Sequence, residues 1–416
     1  MFPKRDKLSF HWRSIMNVKS IFLSSTVAFL AISETQAASK AVAEPEPVKY
    51  VRVCDAYGKG YFYIPGTETC IRVSGNIRAD FLGGDNIDAT TNSQLTNKKK
   101  TYGASSRLTL VFQAASETEM GTLRSYARIF SSWSNGKDKD GAKLAAAYIE
   151  LGGFRIGLDD TIFNSWTGGY GNVINDDSIA PAGNIRTNFI SYTFSGDTGF
   201  SAIIGAELGN ATGPDTKDIK YYYIDKDGKI ANVSNDSLPS KGIKNYTPNL
   251  VFGVKFMQQW GGFSTVAAYD AYYKKWAGKA RLDFNINDRV NLWVMGGYKN
   301  NVDYYTADED NTLSRQNTTI YANWGSKWAA WAGTTYKLNQ KVNLNAQVSY
   351  SAAKTFATSV NIAYTPIPGF IITPELTYIS WKDNRTFRGV DNNTIYSHAL
   401  NGKSALQGMI RFQRSF

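Results

Sequence analysis

The 416-residue sequence predicts an all-β fold, a transmembrane antiparallel β-barrel of about 16 strands whose pore is narrowed by an inward-folded third loop. Three observations carry this. The first is long two-faced alternation. Ile71, Val73, Gly75, Ile77, Ala79 and Phe81 are apolar or small, and Arg72, Ser74, Asn76, Arg78 and Asp80 between them are polar. Period two marks a strand with unlike faces. A tilted strand needs about 9–11 residues to cross a bilayer, against about 5–6 for an average globular strand. The second is loop parity, since every second connection is short and the intervening ones are often long. The third is the end of the chain. Phe416 closes an alternating strand in phase with Leu406, Gly408, Ile410 and Phe412, which suits a lipid–water boundary.

Composition agrees without deciding. Aromatics make up 14% of the chain while mean hydropathy is only −0.33. Beyond the N-terminus no apolar run reaches the ~18 residues of a helical span. A barrel has this balance, and so has a large soluble β protein such as a secreted adhesin, which stays open as an alternative.

Taken in order, residues 1–37 read as a secretory leader. Lys19 is followed by the apolar run Ile21–Ile32 and then Thr35-Gln36-Ala37, with cleavage expected after Ala37. Residues 1–15 form an upstream extension, which makes Met16 a second candidate start. The leader holds five basic residues and two acids, so +11 minus +3 leaves +8 for the mature chain. Export and the scatter of the basic residues argue against a nucleic-acid partner. Residues 38–70 read as a periplasmic lead-in and a pinned hairpin, Tyr50–Cys54 against Tyr61–Ile64. Two cysteines in an exported chain, Cys54 and Cys70, favour a disulfide, worth about 3 kcal/mol for so short a loop. Neither sits in a Cys-X-X-Cys or beside a histidine, which disfavours a reactive thiol.

The barrel is expected over residues 71–416. Its strands begin with Ile71–Phe81, Arg107–Ala114, Gly121–Trp133, Ala142–Leu151, Phe154–Asp159 and Arg186–Phe194. Gly199–Leu208, Asn249–Trp260, Gly262–Lys274, Ala277–Ile286 and Val290–Tyr298 follow. Lys327–Lys337, Val342–Tyr350, Thr355–Tyr364, Phe370–Trp381 and Ala405–Phe416 complete the set, and Thr318–Trp324 is read as loop. Links such as Gly152-Gly153 and Gly261 are short, whereas 82–106, 160–185, 209–248, 299–326 and 382–404 are long. A sandwich has no reason to sort its loops this way.

So many strands enclose a lumen too wide for side chains to fill. The inward phases accordingly carry Arg72, Arg78, Arg107, Arg124, Arg128, Arg155, Lys255, Lys279, Arg281 and Arg411. The constriction is expected from Asp160–Ile185, rich in glycine between Gly168 and Gly171. Asp159, Asp160, Asp176 and Asp177 would then oppose the arginines and set up a transverse field. Trp293 and Trp331 on inward phases keep a solute-specific channel open as an alternative. Catalytic and metal motifs are absent from the sequence, so no enzyme and no cofactor are expected. Small outward residues Gly75, Ala79, Ala145 and Ala147 point to a packing face for a homotrimer, with Ser134–Gly141 as a latch. Lys98, Lys99 and Lys100 are candidate contacts for lipopolysaccharide phosphates.

The segment from Glu46 through Tyr50-Val-Arg-Val-Cys54-Asp-Ala-Tyr-Gly-Lys-Gly60-Tyr-Phe-Tyr-Ile-Pro65-Gly-Thr-Glu-Thr-Cys70 to Val73 closely resembles the start of mature alphaproteobacterial general porins, the porin-2 family. In pattern the likeness runs on to Phe416. It implies a trimeric outer-membrane barrel for passive diffusion of small hydrophilic solutes, with Cys54 and Cys70 as the family's pair and Asp160–Ile185 in the place of the constriction loop. It also implies that Phe416 is the tag read by assembly machinery. Residues before Met16 and the wording of the external loops depart from the family pattern.

Overall fold

A computed structural model describes residues 52–96, 102–138, 141–168, 171–181, 186–208, 220–232, 246–316 and 319–416. The leader, the start of the hairpin and Lys98–Lys100 lie outside them. In chain order the strands begin β1 (Phe62–Tyr63), β2 (Cys70–Gly84), β3 (Tyr102–Thr118), β4 (Gly121–Ser134), β5 (Lys137–Asp138) and β6 (Lys143–Leu151). Next come β7 (Phe154–Asp160), β8 (Arg186–Ser195), β9 (Phe200–Glu207), β10 (Tyr222–Ile224), β11 (Ile230–Asn232) and β12 (Asn249–Gln258). They continue as β13 (Gly261–Asp270), β14 (Lys275–Asn285), β15 (Val290–Lys299), β16 (Tyr304–Ala307), β17 (Thr312–Gln316) and β18 (Trp328–Lys337). The last are β19 (Val342–Ser351), β20 (Thr355–Ile367), β21 (Phe370–Trp381), β22 (Thr386–Arg388), β23 (Ile395–His398) and β24 (Lys403–Ser415). Two short helices, α1 (Asn92–Thr96) and α2 (Ile162–Ser165), sit in loops.

Sixteen of these strands close into one antiparallel barrel, each pairing with its neighbour in sequence order and β24 returning to β2. The spans match the expected strands, several running further into the loops; β3 starts at Tyr102 rather than Arg107. Turns such as Gly152-Gly153 crowd one rim, and the long connections leave from the other. Outward positions are the apolar phase, and among them Ile77, Leu108, Ile204, Phe252 and Leu376 remain exposed to the lipid side. Aromatics gather at both ends of the apolar belt. Phe154 against Tyr192 and Trp260 against Phe284 mark the short-turn rim, and Tyr269 against Trp276 and Trp328 against Tyr350 the other. That is the girdle pattern of outer-membrane barrels.

One outward assignment changes. A β-bulge between β4 and β6 inserts Ala145 without a cross-strand partner, and Ala145 is 1% exposed. A bulge turns the extra residue out of the period-two phase, so Ala145 drops from the small outer face while Gly75, Ala79 and Ala147 remain.

The hairpin expected before the barrel forms within the described residues. Val53 bridges Phe62, and Cys54 N–H donates to Tyr61 O at 3.0 Å. The Cys54–Cys70 disulfide ties it to the first residue of β2. At the seam, Phe416 and Gly75 exchange both backbone hydrogen bonds, at 2.9 and 3.0 Å. A Cβ on Gly75 would lie 2.2 Å from Thr109 O and 3.2 Å from Phe416 Cζ. Gly75→Val should therefore cost at least the roughly 1–3 kcal/mol of an overpacked site and lower the yield of closed barrel, read as the heat-modifiable band on a denaturing gel.

Candidate functional site in the barrel lumen

The third connection, from β7 to β8, lies against the inner wall. Its backbone is held by inward side chains from five strands of one wall, β14 and β18 to β21. Lys279 Nζ donates to Pro181 O at 3.2 Å, Trp331 Nε1 to Ile179 O at 2.7 Å and Gln347 Nε2 to Asp176 O at 2.9 Å. Asn361 Nδ2 donates to Asn172 O at 2.9 Å. The Glu375 carboxylate, 3% exposed, accepts the backbone N–H groups of Ile174 and Asn175. Glycines on the inward phase make room for the loop. A Cβ on Gly205 would lie 2.2 Å from Ile162, and one on Gly253 2.5 Å from Trp166. The loop therefore fills one half of the lumen, from β9 round to β21.

The other half carries the charges. Arg78 and Arg107 are in register on β2 and β3. Arg411 grips Asp80 with two bonds, at 2.7 and 2.9 Å, and Arg78 lies 3.6 Å from the same carboxylate. Arg128 reaches Asp159 and Asp160 at 3.6 and 3.5 Å, Arg155 reaches Glu150 and Asp159 at 2.6 and 3.2 Å, and Arg186 reaches Asp160 at 3.6 Å. Arg107 and Arg186 also stack on Phe130.

Four assignments from sequence shift in consequence. Asp159 and Asp160 do not face the arginines across the pore. They end β7 on the same wall, because the β7–β8 ladder extends through Asp160↔Arg186 and turns them into local counter-ions. Arg72 stacks on Tyr61 of the pinned turn, and Arg124 lies opposite Glu150, three residues from the turn at Gly121. Both stand near the short-turn rim, away from the third loop. Lys255, Lys279 and Arg281 are engaged on the loop side: Lys255 over Trp166, Lys279 over Phe163 and on Pro181 O, Arg281 on Asp283 and over Trp293. Trp293 and Trp331, 3% and 2% exposed, are packed under the loop and offer no aromatic slide to a solute. Of the loop, residues 169–170 and 182–185 lie outside the described residues.

Two cavities flank the loop. One of about 460 Å³ opens between Asp177, Ala89, Arg315, Asn323, Trp381 and Asn401. Another of about 440 Å³ is lined by Asn172, Ile174, Asn343, Thr373, Arg411 and Gln413. Asp176 sits on the loop between them. Burial, reinforced by the like charges of Asp177 and Glu375 and only partly offset by Arg411, pushes its carboxyl up to about 7.

A family model described as the porin subfamily matches residues 39–409. The chain belongs to the porin subfamily. Porin Omp2b of Brucella suis is 40% identical over 417 residues, covering 96% of this chain and 100% of the relative. Porin Omp2b of Brucella melitensis is 38% identical over 412 residues with the same coverage. Among solved structures, the outer membrane channel DcaP of Acinetobacter baumannii superposes with a TM-score of 0.58 at 12% identity, over 85% of this chain and 99% of that one. A mutant of Rh. blastica porin gives 0.52 at 13% identity, over 83% and 100%. At such identity these two show the fold alone. The porin resides in the bacterial outer membrane and forms a water-filled passive diffusion channel for small hydrophilic solutes and ions. A secreted soluble β protein is thereby set aside.

Glu375 is the residue that reading by strand phase passed over, although an acid at mid-strand between outward Pro374 and Leu376 was visible. Besides the two N–H groups it accepts Asn361 Nδ2 at 2.9 Å and Thr377 Oγ1 at 3.3 Å. A carboxylate takes four donors, whereas an amide turns two hydrogens toward them. Glu375→Gln in the porin should loosen the loop tip by about 1–3 kcal/mol, seen as raised open-channel current noise at an unchanged barrel melting temperature.

Proposed function

We propose that the pore runs between the arginine-bearing wall of β2–β8 and β24 and the acidic outer face of the third loop. The pinning of that loop to the opposite wall is the observation that carries this reading. Arg78, Arg107, Arg128 and Arg411 are the basic side of the filter and Asp176 and Asp177 the acidic side, with Asp80, Asp159 and Asp160 trimming the positive field. Arg72 and Arg124 guide ions at the periplasmic mouth. Opposed charge across a narrow aqueous gap orients polar solutes and rejects apolar ones. The channel needs no bond-making chemistry.

The same reading takes residues 1–37 as the leader and 38–70 as the periplasmic lead-in that ends in the Cys54–Cys70 staple. Three copies associate through the outer face of β2 to β6, where Gly75, Ala79 and Ala147 leave a shallow surface. Lys98–Lys100 in the first external loop meet lipopolysaccharide phosphates, and Phe416 serves as the assembly tag.

Planar-bilayer recording in a salt gradient tests the core of this. Asp176→Asn with Asp177→Asn should move the reversal potential toward anions; an unmoved potential would remove the loop acids from the filter. Trimers should appear as conductance steps in threes.

The titration of Asp176 gives a second expectation. Its carboxyl is raised to about 7, so lowering pH from 8 to 6 protonates it and removes one negative charge from the pore. Anion permeability relative to cation permeability should rise across that interval, and Asp176→Asn should flatten the dependence there.

A further inference from the structure

The sixth external connection, β15 to β18, does more than cap the barrel. Its hairpin β16–β17 joins β10–β11 of the fourth connection and β22–β23 of the eighth in a six-stranded sheet outside the barrel. After β17 the chain turns inward. Ile320, Tyr321, Ala322 and Trp324 are 4%, 1%, 0% and 2% exposed and belong to the same buried cluster as Phe163 and Ile179 of the third loop. We propose that this segment, Thr319–Trp324, is a strut that sets the position of the third loop and so the width of the pore, tying the external sheet to the constriction. The proposal rests on the third loop bounding the pore.

Several independent contacts point the same way. The Tyr321 hydroxyl donates to Glu207 at 2.6 Å, and the other oxygen of that carboxylate accepts the Ile162 N–H at 2.6 Å, where the third loop begins. One buried carboxylate on β9 thus joins both loops to the wall. The Tyr321 ring meets Phe163 edge-on at 5.4 Å, and Trp324 lies 6.4 Å from Phe163 and 5.6 Å from Trp331. Trp331 in turn holds Ile179 O, at the far end of the same loop. The wall is shaped for the strut. A Cβ on Gly297 of β15 would stand 2.7 Å from the Trp324 ring. Thr319 Oγ1 donates to Asp270 at 2.7 Å, and Arg315 of the external sheet donates to Asn323 O at 2.9 Å. Ala322 is held at φ 56°, a left-handed conformation that a residue with a side chain keeps only where its surroundings enforce it.

The geometry divides the strut's work in two. The Trp324 and Tyr321 rings occupy the volume behind the third loop, and the Tyr321 hydroxyl fixes where the loop leaves β7. Removing volume lets the loop fall back toward the wall; removing the hydroxyl leaves its place but loosens it.

Single-channel recording and liposome swelling with sugars of graded size separate these. Trp324→Ala should raise conductance by about 1.5-fold or more and admit larger sugars. Tyr321→Phe keeps the ring, so it should retain the wild-type step size with added open-channel noise. Trp324→Ala barrels that are heat-modifiable yet conduct and sieve as the wild type would overturn the proposal. Should Trp324→Ala fail to assemble, quiet wild-type traces from Tyr321→Phe would overturn it instead. A raised conductance in Trp324→Ala beside a silent Asp176→Asn would keep the strut and discard the acidic loop face as the filter, so the two readings fail separately.

Discussion

Everything in this porin depends on closing the sheet. In hydrocarbon an unpaired backbone N–H or C=O has no water to turn to, so a strand that spans a bilayer needs a partner on both sides. The pairing of β24 with β2, from Asn76↔Ser415 to Gly84↔Gln407, supplies the last partner and abolishes the edge. Once the sheet is closed, period two assigns every spanning side chain to lipid or to lumen. Leu406, Gly408, Ile410 and Phe412 go outward, and Gln407, Arg411 and Gln413 go inward. Arg414 follows the outward phase near the short-turn rim, at headgroup level, where an arginine costs only about 0–1 kcal/mol.

Closure creates a second problem, which is a wide wet hole. The answer is built from backbone. The third loop offers carbonyls and N–H groups, and one wall offers amides, a lysine, an indole and a carboxylate to receive them. This makes the lumen asymmetric. The half from β9 to β21 becomes a packed interior, with Trp293, Met295 and Val266 buried as in a soluble core. The half from β2 to β8, with β24, carries the arginines. In the proposed filter, charge separation across the pore follows from which side the loop packs against. The acids among the arginines, Asp80 above all, keep the cationic wall from repelling itself.

The external surface is likewise more ordered than loops of such length require. Pieces of the fourth, sixth and eighth connections pair as strands, with Tyr305, Leu313 and Phe387 beneath them. Lys299 and Asp303 anchor this region with a 2.6 Å ion pair, and Asp303 also accepts the Ser326 N–H. Lys299, aided by Arg315, outweighs the burial of Asp303 and holds its carboxyl down to about 2, so mild acid does not break the link. The inward turn after β17 thus starts from a fixed base.

The sequence by itself determined the sixteen barrel strands, their rims and, except at Ala145, their faces. Alternation depends only on residues two apart on one strand, and loop parity only on counting; both are local. It also placed Asp160–Ile185 as the inserted segment, because a long glycine-bearing connection follows the fifth strand. The tertiary structure alone decided what each inward charge meets. Phase says that Lys279, Arg281 and Arg411 share the lumen, but not that the first two sit behind the loop and the third grips Asp80 and lines a cavity beside it. Nor does phase show that Asp159 and Asp160 answer to Arg128, Arg155 and Arg186 beside them. Those outcomes turn on the curvature and register of a closed cylinder, which bring residues such as Ile174 and Glu375, or Ile162 and Tyr321, together across more than a hundred positions of chain. No periodicity encodes a meeting of that range.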